Sequence, residues 1–140
     1  MTKAVKKTHL FSWPTRIYYE DTDAAGVVYY ANYLKFMERA RTEWLRAHGY
    51  ELSELEKERD IVFIVRSVKL DYLKPARLND FLHVTVEPIE LGRSKIIFSQ
   101  KIKRDDHVLV EGEIGIVCVS ASAIRPTPLP EDLKENLELL

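Results

Sequence analysis

The chain has 140 residues, of which 46% are hydrophobic and 31% are charged, and this composition is typical of a single globular domain with its own core. Its 21 basic and 22 acidic residues nearly cancel, so no overall charge would attract nucleic acid or an anionic membrane. One cysteine, Cys118, excludes an intramolecular disulfide, and no apolar run reaches the roughly 20 residues that a membrane span needs.

The chain begins with a basic segment, MTKAVKKTHLFSWP, which has no apolar stretch or cleavage site typical of a secretory signal. We therefore expect an unprocessed, cytoplasmic protein that forms one domain over residues 1–140. The next residues, FSWPTRIYYE, favour a strand, and Pro14 confines it to an edge or a bend. If that strand continues through the acidic residues, Tyr19, Asp21 and Asp23 share one face.

A long amphipathic helix is predicted after this acidic loop, with Asn32 as a candidate N-cap and Gly49 as a stop signal. A helix of about 16 residues would be about 24 Å long. The segment ELSELEKERD predicts a short second helix. The apolar residues that recur at helical spacing in the long helix are Tyr33, Phe36, Met37, Ala40, Trp44 and Leu45.

From Ile61 onward the apolar pattern changes to period two and predicts four strands. The connections KPARLND, LGRS and RDDH are short and rich in turn residues, so we expect consecutive strands to form antiparallel hairpins. The last residues, EDLKENLELL, predict an amphipathic helix or a frayed tail. Because only the long helix can cover the apolar face of the sheet, the sequence predicts an α+β fold in which five antiparallel strands wrap around that helix.

The stretch YYEDTDAAGVVYYANY places Asp23 before three small residues, which end at Gly26, and then before a helix N-terminus. Small residues let a ligand approach the backbone, and free N–H groups at a helix start can stabilise a developing oxyanion. A carboxylate beside such a site can activate water as a general base or attack a carbonyl carbon directly. The alternative is that Asp21 and Asp23 only cap a turn or the helix.

The order of elements, the segment YYEDTDAAGVVYYANYLKFMERARTEWL and the later YLKPARLND and LGRS resemble the hotdog-fold acyl-CoA thioesterases. The resemblance covers roughly residues 16–119. It is greatest for the YbgC-like branch, which is linked to bacterial tol-pal clusters, and it extends to the related 4-hydroxybenzoyl-CoA thioesterase. This resemblance implies a hotdog fold and hydrolysis of acyl-CoA without a cofactor.

The resemblance also implies roles for individual residues. Asp23 matches the catalytic carboxylate, and Tyr19 matches a tyrosine that helps to orient it. Tyr30 stands where YbgC-like enzymes usually have histidine, whereas the hydroxybenzoyl relative has tyrosine there and uses its backbone N–H to polarise the thioester carbonyl. We therefore expect Tyr30 to act through its amide. The turn residues Gly92, Arg93, Ser94 and Lys95 match a region that contacts coenzyme A, although an exposed basic turn is an alternative.

Other signals favour structural roles. Arg77 is expected to pair with Asp80 or to cap a strand end, and Cys118 alternates with apolar neighbours as a core thiol does. No metal site is expected, because the four histidines lie far apart without ligand spacing: His9, His48, His83 and His107. A nucleophile elbow and a phosphate-binding loop are also missing from the sequence, which argues against a serine hydrolase or a nucleotide-dependent enzyme.

Two further alternatives stay open at this point. The chain could be a noncatalytic module that binds acyl-CoA or acyl carrier protein, or, with less support, a hotdog hydratase. The strand beginning at Ile61 is apolar on nearly every residue, which favours an edge that pairs with a second chain. We therefore expect a homodimer with a ten-stranded sheet and an active site between protomers, or a tetramer of two such dimers.

Overall fold

The computed structural model describes residues 3–4 and 10–139, and it describes side chains for residues 10–137. Most of the basic N-terminal segment, including His9, lies outside the described residues. The described chain forms one sheet and three α-helices: β1 (Lys3–Ala4), β2 (Phe11–Arg16), α1 (Asn32–Ala47), α2 (Leu52–Arg59), β3 (Ile61–Tyr72), β4 (Phe81–Leu91), β5 (Lys95–Arg104), β6 (His107–Ser120) and α3 (Glu131–Leu139).

Five long strands build an antiparallel sheet in the order β2-β4-β5-β6-β3. The two-residue strand β1 also pairs with β4, at the end of β4 that β2 does not reach. This is the α+β architecture that the sequence predicted. One edge of the sheet is β3, whose Ile64, Val65 and Val68 side chains are 41%, 46% and 44% exposed.

The long helix α1 lies against this sheet. All six residues predicted for its apolar face are buried, and Trp44 packs edge-to-face on Phe98 of β5 with 5.2 Å between ring centroids. Burial of each such large side chain stabilises the fold by roughly 1.5–3 kcal/mol. The helical periodicity therefore identified the core face of α1 correctly, and Cys118 of β6 is buried in the same core, as expected.

The connection between β3 and β4 is not the hairpin that its turn residues indicated. The hairpins at LGRS and RDDH form as predicted, but β3 pairs with β6 and β4 pairs with β5. Residues 73–80 therefore cross from one side of the sheet to the other, a distance of about 14 Å or three strand spacings. Turn chemistry shows where a strand ends, but the choice of partner strand depends on long-range packing.

The first long strand also ends earlier than expected. It stops at Arg16, and Tyr19–Asp21 form a 3₁₀ turn in which the Asp21 carboxylate accepts a hydrogen bond from the N–H of Tyr18. Tyr19, Asp21 and Asp23 therefore do not share the face of one strand. Local hydrogen bonds to Asp side chains compete with strand pairing, and here they form in its place.

Asn32 is the first residue of α1, and the N-cap position belongs to Ala31, which makes no side-chain capping bond. The amide of Asn32 instead donates to the carbonyl of Asp21, with 2.9 Å between Nδ2 and O. The prediction of Asn32 as an N-cap was therefore wrong, because its side chain holds the preceding loop rather than a helix N–H.

The predicted terminal helix is α3, which buries Leu133 and Leu137. Within residues 3–4 and 10–139, no helix combines the length and the hydropathy that crossing a membrane requires.

Candidate active site

Asp23 lies at the start of a tight turn between two short paired segments. Its N–H donates to the carbonyl of Val27 at 2.8 Å, and Thr22 forms a bridge with Val28. The carboxylate accepts a hydrogen bond from the N–H of Ala25, with 2.8 Å between Oδ1 and N. Among the described residues, Oδ2 has no hydrogen-bond partner, and Asp23 is exposed. One oxygen thus fixes the side chain while the other is available to a ligand.

Gly26 completes this turn with a positive φ of 79°, a conformation that side chains disfavour. Its N–H donates to the carbonyl of Asp23 at 3.0 Å. Apart from Gly26 and its two chain neighbours, no described residue has an atom within 4 Å of the place where a β-carbon would stand, so the backbone next to Asp23 faces open space. The approachable backbone that we inferred for Gly26 is present here.

Tyr30 lies between this turn and the first residue of α1. Within the described part of the chain, no group accepts a hydrogen bond from the N–H of Tyr30, whereas the N–H groups of Tyr29 and Asn32 donate to the carbonyls of Asp21 and Tyr29. The Tyr30 side chain is 62% exposed. A free N–H just before a helix start adds to the positive end of the helix dipole, so this amide can polarise a carbonyl.

Two residues whose role at this site the sequence analysis did not predict hold this region in place. The hydroxyl of Tyr72 donates to the carbonyl of Tyr30 at 3.3 Å, and the two rings meet edge-to-face. The buried hydroxyl of Tyr33 accepts a hydrogen bond from the N–H of Ala76 at 3.0 Å. Burial raises the pKa of Tyr33, so the hydroxyl stays protonated. Tyr33 and Tyr72 are 39 residues apart in the chain, so no local spacing indicated these contacts.

The crossover itself packs on the turn that bears Asp23. The carbonyl of Ala76 accepts the N–H of Val28 at 2.9 Å, and Val27 forms a bridge with Arg77. The carboxylate of Asp80 accepts the backbone N–H of Arg77 and the guanidinium of Arg104, at 2.8 and 2.6 Å. Arg77 therefore contacts Asp80, as expected, but through its backbone N–H. The ionic partner of Asp80, however, is Arg104 rather than the Arg77 side chain, because β5 places Arg104 beside it.

The Tyr19 side chain is 82% exposed, and among the described residues its hydroxyl has no hydrogen-bond partner. Its backbone carbonyl accepts the N–H and the hydroxyl of Thr22 instead. In a single chain the Tyr19 ring makes no hydrogen bond to Asp23, so its expected orienting role stays a prediction.

The turn at residues 92–95 lies at the other end of the sheet. Asp80, beside the Asp23 turn, precedes β4, and Gly92 follows β4, whose 11 residues span about 35 Å. Gly92 is buried, Arg93 is exposed, and Ser94 and Lys95 are half-buried. A single chain therefore does not bring these residues together with Asp23 and Tyr30.

An open groove runs along α1 toward the C-terminal end of the helix, and we call it the α1–β3 groove. It consists of two adjoining cavities of about 600 and 450 Å³, which share Glu38, Arg41 and Val65 as lining residues. The first cavity reaches Leu34, close to the helix start, and the second reaches Leu52 of α2. The remaining walls are mainly apolar, and they include Trp44, Phe63, Phe98 and Ile116.

The sheet wound around a single long helix is the hotdog fold, and comparison with known proteins places the protein in the thioesterase class. The family model of the Thioesterase-like superfamily matches residues 18–137. The chain belongs to this superfamily.

Individual relatives agree with this assignment. The chain is 43% identical over 127 residues to the acyl-CoA thioester hydrolase YbgC of Escherichia coli O6:H1, covering 90% of this chain and 94% of the relative. It is 40% identical over 124 residues to the acyl-CoA thioesterase YbgC of Haemophilus influenzae, covering 89% and 91%. The crystal structure of a probable thioesterase from Bartonella henselae superposes with a TM-score of 0.84 at 29% identity, covering 87% of this chain and all of the other. The resemblance to the YbgC-like branch is thus confirmed.

Proposed function

We propose that the protein hydrolyses acyl-CoA thioesters to coenzyme A and a carboxylic acid, with Asp23 as the catalytic carboxylate. The relatives named as acyl-CoA thioesterases support the substrate class. The observation that carries the assignment of the site is the bond from Ala25 to Oδ1 of Asp23, which orients the carboxylate and leaves Oδ2 free. No cofactor is needed for this reaction.

Two routes are consistent with this geometry. As a general base, Asp23 takes a proton from water, whose oxygen attacks the thioester carbon and expels the thiolate of coenzyme A. As a nucleophile, Oδ2 attacks the same carbon, the thiolate leaves, and water then hydrolyses the mixed anhydride. In both routes the free N–H of Tyr30 donates to the carbonyl oxygen as negative charge develops there.

We also propose a dimer in which two β3 edges pair antiparallel around a two-fold axis. The exposed apolar side chains of β3 support this pairing. The outer face of the sheet supports a tetramer less well, because it carries charged pairs: Lys69 lies opposite Glu113, and Lys101 lies opposite Glu111.

The dimer would unite the separated parts of the site. Val117 is paired with both Lys95 and Ile64, so the turn at residues 92–95 lies near the Ile61 end of β3. Antiparallel pairing of two β3 strands places that end beside Tyr72 of the other chain, and Tyr72 contacts Tyr30. Arg93, Ser94 and Lys95 of the partner subunit would then lie at the same end of the sheet as Asp23, where their donors can hold the phosphates of coenzyme A.

A panel of acyl-CoA thioesters, followed by thiol release, tests the activity. We expect hydrolysis of at least one acyl group. If the wild-type protein binds these thioesters but hydrolyses none of them, a noncatalytic module that binds acyl-CoA or acyl carrier protein becomes the better account. A cytoplasmic location stays a prediction.

Light scattering across a dilution series, recorded together with turnover, tests the shared site. Activity per chain is expected to fall as the dimer dissociates, because each site needs two chains. A fully active species with the mass of one chain would contradict the shared site without affecting the assignment of Asp23.

A further inference from the structure

Arg41 lies midway along the α1–β3 groove, and only one of its guanidinium nitrogens has a hydrogen-bond partner among the described residues. Its Nη1 donates to Oε1 of Gln100 at 2.9 Å. Gln100 is fully buried, and its Nε2 donates to the carbonyls of Met37 and Thr85, at 3.2 Å in both cases. Gln100 thus ties α1 to the sheet and holds the guanidinium in one place on the groove wall.

The remaining N–H donors of Arg41 have no acceptor among the described residues. A guanidinium has five N–H donors. Leaving several of them without acceptors is costly when the guanidinium is half-buried, since its charge has lost part of its water. Burial accordingly lowers the pKa of Arg41. Arg41 lines both cavities of the groove, so the unused donors are next to the space that an acyl group would fill.

Glu38 supplies the complementary group. It lies three residues before Arg41, on the same face of α1, and it lines both cavities as well. The groove therefore presents a donor and an acceptor side by side, in walls that are mainly apolar but also include Lys35, Arg39 and Glu56. A hydroxyl group can accept from Arg41 and donate to Glu38, whereas an alkyl chain can do neither.

We infer that Arg41 is a specificity residue that selects acyl groups bearing a hydroxyl group away from the thioester. This inference rests on the proposed function and adds a substrate class to it. Tyr30 and Arg41 are eleven residues apart, which corresponds to about 16 Å along a helix. The substrate hydroxyl is therefore bound far from the reacting carbon. A binding site that hydrogen-bonds a substrate hydroxyl rejects the analogue that lacks it more strongly than an apolar pocket rejects a missing methylene.

The test compares kcat/KM for pairs of acyl-CoA thioesters with the same carbon skeleton, with and without one hydroxyl group, whose position is varied along the chain. We expect the wild-type protein to prefer the hydroxylated member by at least roughly tenfold at one position. In Arg41→Met this ratio should fall to about one. Arg41→Lys keeps the charge but not the planar donors, so its ratio should lie between those of Arg41→Met and the wild type. The ratio is independent of the fraction of active protein, so partial unfolding of a variant does not affect it.

Arg46→Met is the matched control, because Arg46 is on the same helix but pairs with Glu43 and Glu51 outside the groove. Its ratio should equal that of the wild type. Equal rates for both members of every pair, or a preference that survives in Arg41→Met, would overturn the inference and leave the proposed function intact. If no thioester of any pair is hydrolysed, both the inference and the proposed function fail.

Discussion

The hydroxyl of Tyr33 on α1 accepts a hydrogen bond from the N–H of Ala76 in the crossover, at 3.0 Å and out of contact with water. Tyr33→Phe keeps the ring contacts with Phe36 and Tyr72 but leaves this N–H without an acceptor. Because a buried unsatisfied donor is costly, we expect a loss of about 1–3 kcal/mol in the free energy of unfolding. Urea denaturation measures this loss.

The control for that experiment is Tyr18→Phe, since Tyr18 is 63% exposed. Its unfolding free energy should stay within about 0.5 kcal/mol of the wild-type value. Equal stability of the Tyr33→Phe and Tyr18→Phe variants would mean that the bond to Ala76 contributes nothing.

A second prediction concerns the pairing of β3 with β6. A β-carbon at Gly112 would collide with the backbone carbonyl of Lys69 on the neighbouring strand, whereas one at Gly92 would meet only the flexible side chain of Lys95. Gly112→Ala should therefore lower the melting temperature by several degrees or more, while Gly92→Ala should change it little. Thermal unfolding followed by circular dichroism distinguishes the two, and similar melting temperatures would contradict this explanation.

A third prediction follows from the burial of Cys118, which raises the pKa of its thiol to about 11 from a usual value of 9.0. Between these values the thiol ionises in the unfolded chain but stays protonated in the folded one. Its contribution to stability is therefore complete below pH 9 and decreases as the pH rises toward 11. Comparison of Cys118→Ala with wild type should show a smaller loss of stability over this range in the variant.

The same substitution should leave thioesterase turnover unchanged at neutral pH, because a protonated core thiol is not a nucleophile. Identical pH slopes for the two proteins would rule out a shifted thiol, and loss of turnover in a folded Cys118→Ala variant would contradict its structural role.

The sequence predicted those parts of the fold that depend on periodicity within one element. The six apolar positions of α1 and all four strands after Ile61 were identified because side-chain burial repeats every 3.6 or 2 residues. It did not predict the crossover between β3 and β4, because strand pairing depends on contacts between distant residues. The 3₁₀ turn at Tyr19–Asp21 was missed because β-forming residues precede it. Its hydrogen bonds join residues only three positions apart and leave no periodic signal in the sequence.

Only part of the candidate site could be predicted from the sequence, for a similar reason. Asp23, Gly26 and Tyr30 are close in sequence, so one loop and its helix start revealed them together. Arg41 and Gln100 are 59 residues apart, and only the packing of α1 on the sheet brings them into contact. No spacing in the sequence relates two such residues.

A fourth prediction distinguishes the backbone of Tyr30 from its side chain. If the N–H polarises the thioester, Tyr30→Phe retains most of the turnover, because the amide is untouched. Steady-state kinetics with one good substrate measures this, with Tyr19→Phe alongside to test the orienting role expected of that hydroxyl. A large fall in kcat without a change in KM in Tyr30→Phe would show instead that the Tyr30 hydroxyl takes part in the reaction.

The most direct test of the central claim is the turnover of Asp23→Asn compared with that of Asp21→Asn. Asparagine at either position can still accept the loop hydrogen bond, from Ala25 or from Tyr18, so both variants should keep the fold. Asp23→Asn removes the base or nucleophile, and we expect kcat to fall by at least roughly 10²-fold. Asp21→Asn should retain near-normal kcat. Near-normal hydrolysis of acyl-CoA by a folded Asp23→Asn protein would contradict the account.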